Sequence, residues 1–351
     1  MYSLQSSPGL EQSSIDGFSW DGLCSALAGP DCRVLAIVGP TASGKSVLAE
    51  ALAAVAPDCL GRSAEIISAD AMQVYRSMDI GTAKTPPPQR AVPYHCLDLV
   101  DPDQDFSAAL YQRAARAAID DCLSRSVLPI VCGGSGLYLR AALDCFELDA
   151  QVEAKTQTGQ VERRERLSRL ADQLGSEAFH TKLAERDPAS AALIHPHNLR
   201  RVVRAFEFLE EGSSYAAQHQ GMREYRSFYP CLYLGLTCER PELYRRIDER
   251  VARMFAAGLV DEVKTLRGRY PRLGQSASQA IGYKELLALG PALDYPSASQ
   301  LDEAAALVAR DTRRYAKRQL TWFRRDPRIH WLAAPDLNKL QSEHAQPPTV
   351  L

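Results

Sequence analysis

The nine cysteines of this 351-residue chain include no C-x-x-C pair and no grouping with histidine at metal-ligand spacing. Neither a zinc site nor a disulfide framework is expected, and a reducing cytoplasm fits best. No segment reaches the roughly 20 apolar residues of a membrane span. The opening MYSLQSSPGLEQSSIDGFSW also lacks a basic start followed by an apolar core, so the protein is expected to be soluble, unexported and cytoplasmic. A formal charge of -2 supplies no general attraction for polyanions; such a partner must be met by local basic clusters. Internal repeats and long low-complexity tracts are lacking as well.

A hydrophobic content of 46% over this length is enough for one large domain carrying an insertion, or for two smaller ones. Residues 1–31, rich in Ser, Gly and Pro, are expected to form a flexible leader, with WDGLCSALAG able to make a short helix. From Arg33 the texture becomes strand (RVLAIV), glycine loop (GPTASGKS) and helix (SVLAEALAAVA), followed by EIISAD, the helical FSAALYQRAARAAIDDCLSR and the strand-like SVLPIVCGG. Strands alternating with helices predict a parallel sheet covered on both faces. Charged helices without strands mark residues 145–214 as a helical insertion between two parts of the core, 32–144 and 215–335. CLYLGLTC resumes the sheet. The next helix has Pro241 in its first turn and Leu243, Ile247, Val251 and Met254 on its buried face. Residues 336–351 are expected to be a flexible tail.

Residues 39–46, Gly39, Pro40, Thr41, Ala42, Ser43, Gly44, Lys45 and Ser46, match G-x-x-x-x-G-K-[ST] between a strand and a helix. Loop amides and the helix N-terminus would cradle phosphate oxygens, with Lys45 as a point charge and Ser46 as a magnesium ligand. The motif specifies a phosphorylated ligand without saying which. EIISAD ends in Asp70, which either organises magnesium or touches a second substrate. Gly133, Gly134, Ser135 and Gly136 close a central strand, where ligands of open parallel sheets bind. There the glycines either admit a ligand closely or make a plain tight turn.

Two basic segments stand out. NLRRVVRAFEFLEE carries Arg200, Arg201 and Arg204, with Val202, Phe206 and Leu209 facing elsewhere. RDTRRYAKRQLTWFRRD puts Arg313, Lys317 and Arg324 on one helical stripe and Arg314, Arg318 and Arg325 on the next. Two adjoining cationic stripes repel each other unless something anionic lies across them. Tyr315, Trp322 and Phe323 are read as packing more than as base-stacking groups.

Seven segments in order, GPTASGKS, ISADAMQVYRSMDIGTAK, PIVCGGSGLYLRAAL, RRVVRAFE, RIDERVARMFAAGLVDEV, QAIGYKE and TRRYAKRQLTWFRRD, run from residue 34 to about 332. Together they resemble the bacterial tRNA dimethylallyltransferases, also called tRNA isopentenyltransferases or the IPP transferase family. The resemblance implies a P-loop NTPase-like α/β fold: a parallel sheet with flanking helices and an inserted helical subdomain. It also implies the reaction, in which dimethylallyl diphosphate donates its five-carbon group to N6 of adenosine 37 beside the anticodon and pyrophosphate leaves, with magnesium and without ATP.

Carried over by position, the resemblance makes Asp70 the base, with Ser135 and Arg250 completing the catalytic set. The loop from Gly39 to Ser46 binds the donor diphosphate, and Ser46 is the metal ligand. The anticodon stem-loop falls to Asp70, Ala71, Met72, Gln73, Arg200, Arg201, Arg204, Lys284, Arg313, Lys317 and Arg318, with Gln73 suited to reading a base edge. Tyr75 is read as packing. A monomer is the expected state. Ser135 stands where tRNA-modifying members usually carry Thr and where adenylate isopentenyltransferases often carry Ser. A free-cytokinin synthase is thus the alternative, and a non-catalytic RNA-binding P-loop protein a further one. CFELDAQVEAKTQTGQVERR departs from the family's Pro-rich connection into the insertion.

Overall fold

The computed structural model describes residues 20–29, 32–146, 148, 157–220, 222 and 224–333. The expected tail, residues 336–351, and most of the start of the leader lie outside them. Two units are present: residues 1–106, 113–143 and 229–351 in one, residues 107–112 and 144–228 in the other.

The first unit is built on strands β1 (Val34–Val38), β2 (Ala64–Ser68), β3 (Tyr94–His95), β4 (Leu128–Gly133), β5 (Cys231–Thr237) and β6 (Ile329–Ala333), all parallel, in the order β3-β2-β4-β1-β5-β6. Every residue of β1, β2 and β4 is buried, as expected of strands covered on both faces. The chain fills one side of β1 first and then returns to fill the other. The strand order therefore reverses at β1, and the carboxyl ends of β1 and β4 form the crevice such sheets use for ligands. Register makes this concrete: Val38 lies beside Gly133, and Ser68 beside Cys132. Strands β3 and β6 go beyond the sequence reading. One is two residues long, and the other follows an arginine-rich stretch without a clear alternating pattern.

Helix α1 (Trp20–Ala28) lies in the WDGLCSALAG stretch read as able to make a short helix: Leu23 and Leu27 join the sheet's apolar core, and Arg62 Nη2 donates to the Leu27 carbonyl at 3.1 Å. Helix α2 (Lys45–Leu60) follows the phosphate-loop motif. Gly44, with φ 93°, turns the chain into it through a left-handed conformation that a side chain would strain. Helices α3 (Ala108–Ser124) and α4 (Gly136–Leu143) flank β4 in sequence.

In the second unit, α5 (Gln157–Leu174), α6 (Ser176–Arg186), α7 (Pro188–Ala191), α8 (Leu199–Glu210) and α9 (Tyr215–Gln220) enclose a separate core. Phe179 and Phe206 meet there at 4.7 Å between ring centroids, with Leu167, Leu183 and Val202 around them. No strand longer than an isolated bridge occurs among its described residues.

The first unit closes with α10 (Arg240–Ala256), α11 (Leu259–Arg269), α12 (Tyr283–Leu287) and α13 (Ala298–Phe323). The four apolar positions foreseen on α10 are all buried. The 26-residue α13 begins with a capping box, Gln300 N donating to Ser297 Oγ and Ser297 N to Gln300 Oε1. Leu243 and Ile247 of α10 pack against Ala316 of α13, which brings the latter beside the phosphate loop. Among the described residues no helix is long and apolar enough to cross a membrane.

Candidate active site

The phosphate-loop motif leaves β1 and turns over the N-terminus of α2. Lys45 folds back across its own loop and donates to the Pro40 carbonyl at 2.6 Å. Burial, with the nearby Arg250 cation adding to it, lowers the Lys45 ammonium to about 8, although Asp70 pulls the other way. Ser46 is exposed at the start of α2, with the buried Cys132 thiol nearby. Ser43 is fully buried, and its Oγ has no hydrogen-bond partner among the described residues. Ala42 adopts φ 63° without being glycine, a conformation that concentrates at ligand-binding loops.

Asp70 follows β2 and is half-buried. One carboxylate oxygen accepts from Met72 N at 2.9 Å, an Asx turn that fixes the side chain. Ala71 N donates to Ser135 Oγ at 3.0 Å, so the segment after β2 is tied to the glycine turn after β4. Arg250 enters from α10; burial lowers its pKa, while Asp70 raises it. Lys45, Asp70, Ser135 and Arg250 thus form one neighbourhood at the carboxyl edge of the sheet.

The glycines after β4 make room for protein. A Cβ on Gly133 would strike the Ala69 backbone, one on Gly134 the Gln319 amide, and one on Gly136 the Trp322 indole. Each glycine thus leaves room for a neighbouring part of the protein that a side chain would displace. Trp322 and Tyr315 contact the active-site loops, and Phe323 is buried in the core.

Gln73 makes internal bonds: Oε1 accepts from Ser68 Oγ at 2.7 Å, and Nε2 donates to the Thr82 carbonyl at 3.2 Å. Nε2 also donates to the Ala83 carbonyl at 3.5 Å, so the amide nitrogen has two acceptors within the protein. Tyr75 is fully buried. The following loop is held by Lys84, whose ammonium donates to Tyr75 O at 2.5 Å, Asp98 at 2.6 Å and Asp79 at 2.8 Å. It is also held by Glu262 of α11, which accepts from the amides of Asp79, Ile80 and Gly81.

The basic residues divide. Lys317 and Arg318 are exposed on α13. Arg313 is paired with Asp248 of α10 and lies over the Tyr244 ring, and Lys284 of α12 is bonded to Asp311 at 2.8 Å. In the second unit Arg200 and Arg201 are exposed. Arg204 there pairs with Glu207 at 3.0 Å and stacks on Phe208. Part of the charge on the α13 stripes is therefore neutralised within the protein. Arg253, one turn beyond Arg250 on α10, adds its field to the site and escaped the sequence reading.

One cluster away from this site, Glu65, His95 and Cys122, has ligand atoms close enough for a metal ion. Its carboxylate already receives both nitrogens of Arg125 at 2.8 Å, and burial pushes the Cys122 thiol up to about 12. A guanidinium in place and a protonated thiol make it a charge-satisfied junction of β2, β3 and α3, not a cation site.

A sequence profile of the IPP transferase family matches residues 73–326. The chain is 46% identical over 312 residues, 88% of its own length and 92% of the other's, to the tRNA dimethylallyltransferase of Kineococcus radiotolerans. It is likewise 46% identical, with 87% and 91% covered, to that of Thermobifida fusca. Among solved structures, a full-length tRNA isopentenylpyrophosphate transferase from Bacillus halodurans matches with TM-score 0.59 and 38% identity, covering 89% of this chain and 94% of that one. A eukaryotic dimethylallyltransferase captured acting on tRNA matches with TM-score 0.70 and 27% identity, covering 90% and 77%.

Proposed function

The chain belongs to the IPP transferase family and is a tRNA dimethylallyltransferase by activity; from that premise we propose how its residues divide the work. The reaction forms a bond between N6 of adenosine 37 and the allylic carbon of dimethylallyl diphosphate. The C–O bond breaks with its electron pair passing to the diphosphate, and one N–H proton must be removed. The observation that carries the assignment is the meeting of Asp70, Lys45, Ser135 and Arg250 at the carboxyl edge of β1, β2 and β4.

Asp70 takes the proton. The adenine amine is a weak nucleophile because its lone pair is delocalised into the ring, so it needs a fixed acceptor as the new bond develops. The Asx turn to Met72 orients the carboxylate and leaves its second oxygen with no bond among the described residues. Negative charge building on the leaving oxygen is met by Lys45, Arg250 and those loop amides of residues 39–46 not engaged within the protein, donors already in place before the bond breaks. The buried, unpartnered Ser43 hydroxyl supports an anion in that loop.

Magnesium fits the donor set modestly. The exposed Ser46 hydroxyl and diphosphate oxygens would hold it, in line with an ion that keeps most of its waters and binds few protein groups. When bound, it neutralises charge on the departing diphosphate. On the acceptor side, Ala71, Met72 and Gln73 face the target base, while Lys317, Arg318, Arg200 and Arg201 meet phosphates. Arg313, Lys284 and Arg204 act by shaping the surface, since their charges are engaged within the protein. Extruding the base from its stack costs roughly a few kcal/mol, which these contacts offset.

Labelled dimethylallyl diphosphate supplied with unmodified tRNA or with AMP tests the acceptor. Label in tRNA at the adenosine beside the anticodon is expected; label in AMP alone would identify a free-nucleotide prenyltransferase instead.

A further inference from the structure

Tyr315, Gln319 and Trp322 of α13 are spaced to share one helix face, and that face contacts the two loops of the active site. Gln319 is buried, 5% exposed. Its Oε1 accepts from Thr41 N in the phosphate loop at 2.9 Å, and its Nε2 donates to the Gly134 carbonyl at 2.9 Å. The amide orientation follows from these partners, because the N–H must meet the oxygen and the carbonyl must face the backbone N–H. A Cβ at Gly134 would collide with the Gln319 amide nitrogen, so any side chain there would displace this amide. The Tyr315 side chain lies close to those of Ser135 and Gln319. Ser135 in turn accepts from Ala71 N, beside Asp70.

We propose that Gln319 is a positioning residue for the donor diphosphate, a strut that sets the separation between the phosphate loop and the Gly134–Ser135 turn and links both to the helix that carries Lys317 and Arg318. The proposal rests on the reading that residues 39–46 hold the donor diphosphate. An amide both donates and accepts across a fixed planar span, so this one side chain joins an N–H on one loop to a carbonyl on the other. By occupying Thr41 N–H, it also takes this amide out of the set available to the anion. A loop free to drift would present those donors out of register with the leaving group, and a displacement of about 1 Å is costly in such sites.

The test uses the full chain with Gln319→Met, which keeps length and volume but loses both hydrogen bonds, and Gln319→Glu, which keeps an acceptor for Thr41 N and loses the donor to Gly134. Donor KM, kcat, the inhibition constant of pyrophosphate and the tRNA dissociation constant are measured well below each variant's melting temperature. We expect donor KM and the pyrophosphate constant to rise together by about tenfold or more in Gln319→Met, as two buried hydrogen bonds imply, with tRNA affinity within about twofold of the parent. Gln319→Glu should show the same pattern, and it carries the test should Gln319→Met fail to fold. Lys45→Ala serves as the control for the underlying reading. If it leaves the pyrophosphate constant unchanged, the phosphate loop does not hold the diphosphate. If it weakens pyrophosphate while neither Gln319 variant does, or if the Gln319 loss lies in tRNA affinity alone, the strut is overturned.

Discussion

Tyr283 donates its hydroxyl to Glu262 at 2.5 Å, from a fully buried position that leaves Gly81 no space for a side chain. The same carboxylate receives three consecutive backbone N–H groups, from Asp79 at 3.0 Å, Ile80 at 2.8 Å and Gly81 at 3.2 Å. Four donors converge on one anion, and the loop they fix leads directly from the segment proposed to face the target base. Glu262→Gln removes the charge and turns one acceptor into a donor facing N–H groups. The expected cost is about 1–3 kcal/mol of stability, read as a lower urea midpoint. At permissive temperature the tRNA KM should rise while the donor KM stays put; equal rises in both would show that the loop acts on the donor as well.

Asp70→Asn should keep the Asx turn to Met72, because an amide oxygen accepts as a carboxylate does. It cannot take a proton at neutral pH. Turnover should fall about 10²-fold or more, with tRNA affinity nearly unchanged. Near-normal single-turnover rates in this variant would refute the base assignment.

Lys45, lowered to about 8, gives the donor site a pH signature. An anion binds the protonated ammonium better, so the contribution of Lys45 to pyrophosphate affinity should be level below pH 8. Above it, affinity should weaken by up to tenfold per pH unit as the free enzyme loses that proton. In Lys45→Arg the cation persists. The ratio of the two inhibition constants, in which the ligand's own titration cancels, should change near pH 8; a flat ratio would remove Lys45 from the diphosphate.

The basic residues of α13 are not equivalent. Lys317→Ala with Arg318→Ala should weaken tRNA binding and reduce the slope of log affinity against log salt by about one per lost phosphate contact. Arg313→Ala breaks a pair with Asp248 instead. It should leave the salt slope much closer to the parent's, so a slope loss as large as that of Lys317→Ala would place Arg313 on the RNA.

Arg125 holds the Glu65 carboxyl down to about 2, with burial opposing. A depressed carboxylate contributes stability that is complete above its ordinary range near 4.5 and lost as pH falls toward 2. The guanidinium is 43% exposed, so solvent screening reduces the gain to about 1–2 kcal/mol. Glu65→Gln should unfold at lower urea than the parent at pH 7. The two midpoints should converge as pH approaches 2, and a constant gap would mean that packing, not charge, carries the difference.

Much of this was legible in the residue string. The phosphate loop is a local device whose backbone conformation is set by its own glycines, and the buried strands are continuous apolar runs. The apolar stripe of α10 was readable because helical period is local too. The short β3 and β6 were not, since strands of that kind are defined by their neighbours in the sheet more than by their own composition. The packing of α1 likewise depends on a core made by residues far along the chain.

The sequence by itself determined the chemistry available: a phosphate loop, a carboxylate at a strand end, a hydroxyl in a glycine turn and arginines on helices. Only the tertiary structure decided which charges are free for a ligand and which are engaged within the protein. Arg313 meets Asp248, Lys284 meets Asp311, and Gln319 meets Thr41 across 278 positions of chain. Residue type and spacing report short-range propensity, whereas the pairing of a buried amide or an ion depends on which surfaces packing brings within about 3 Å of each other.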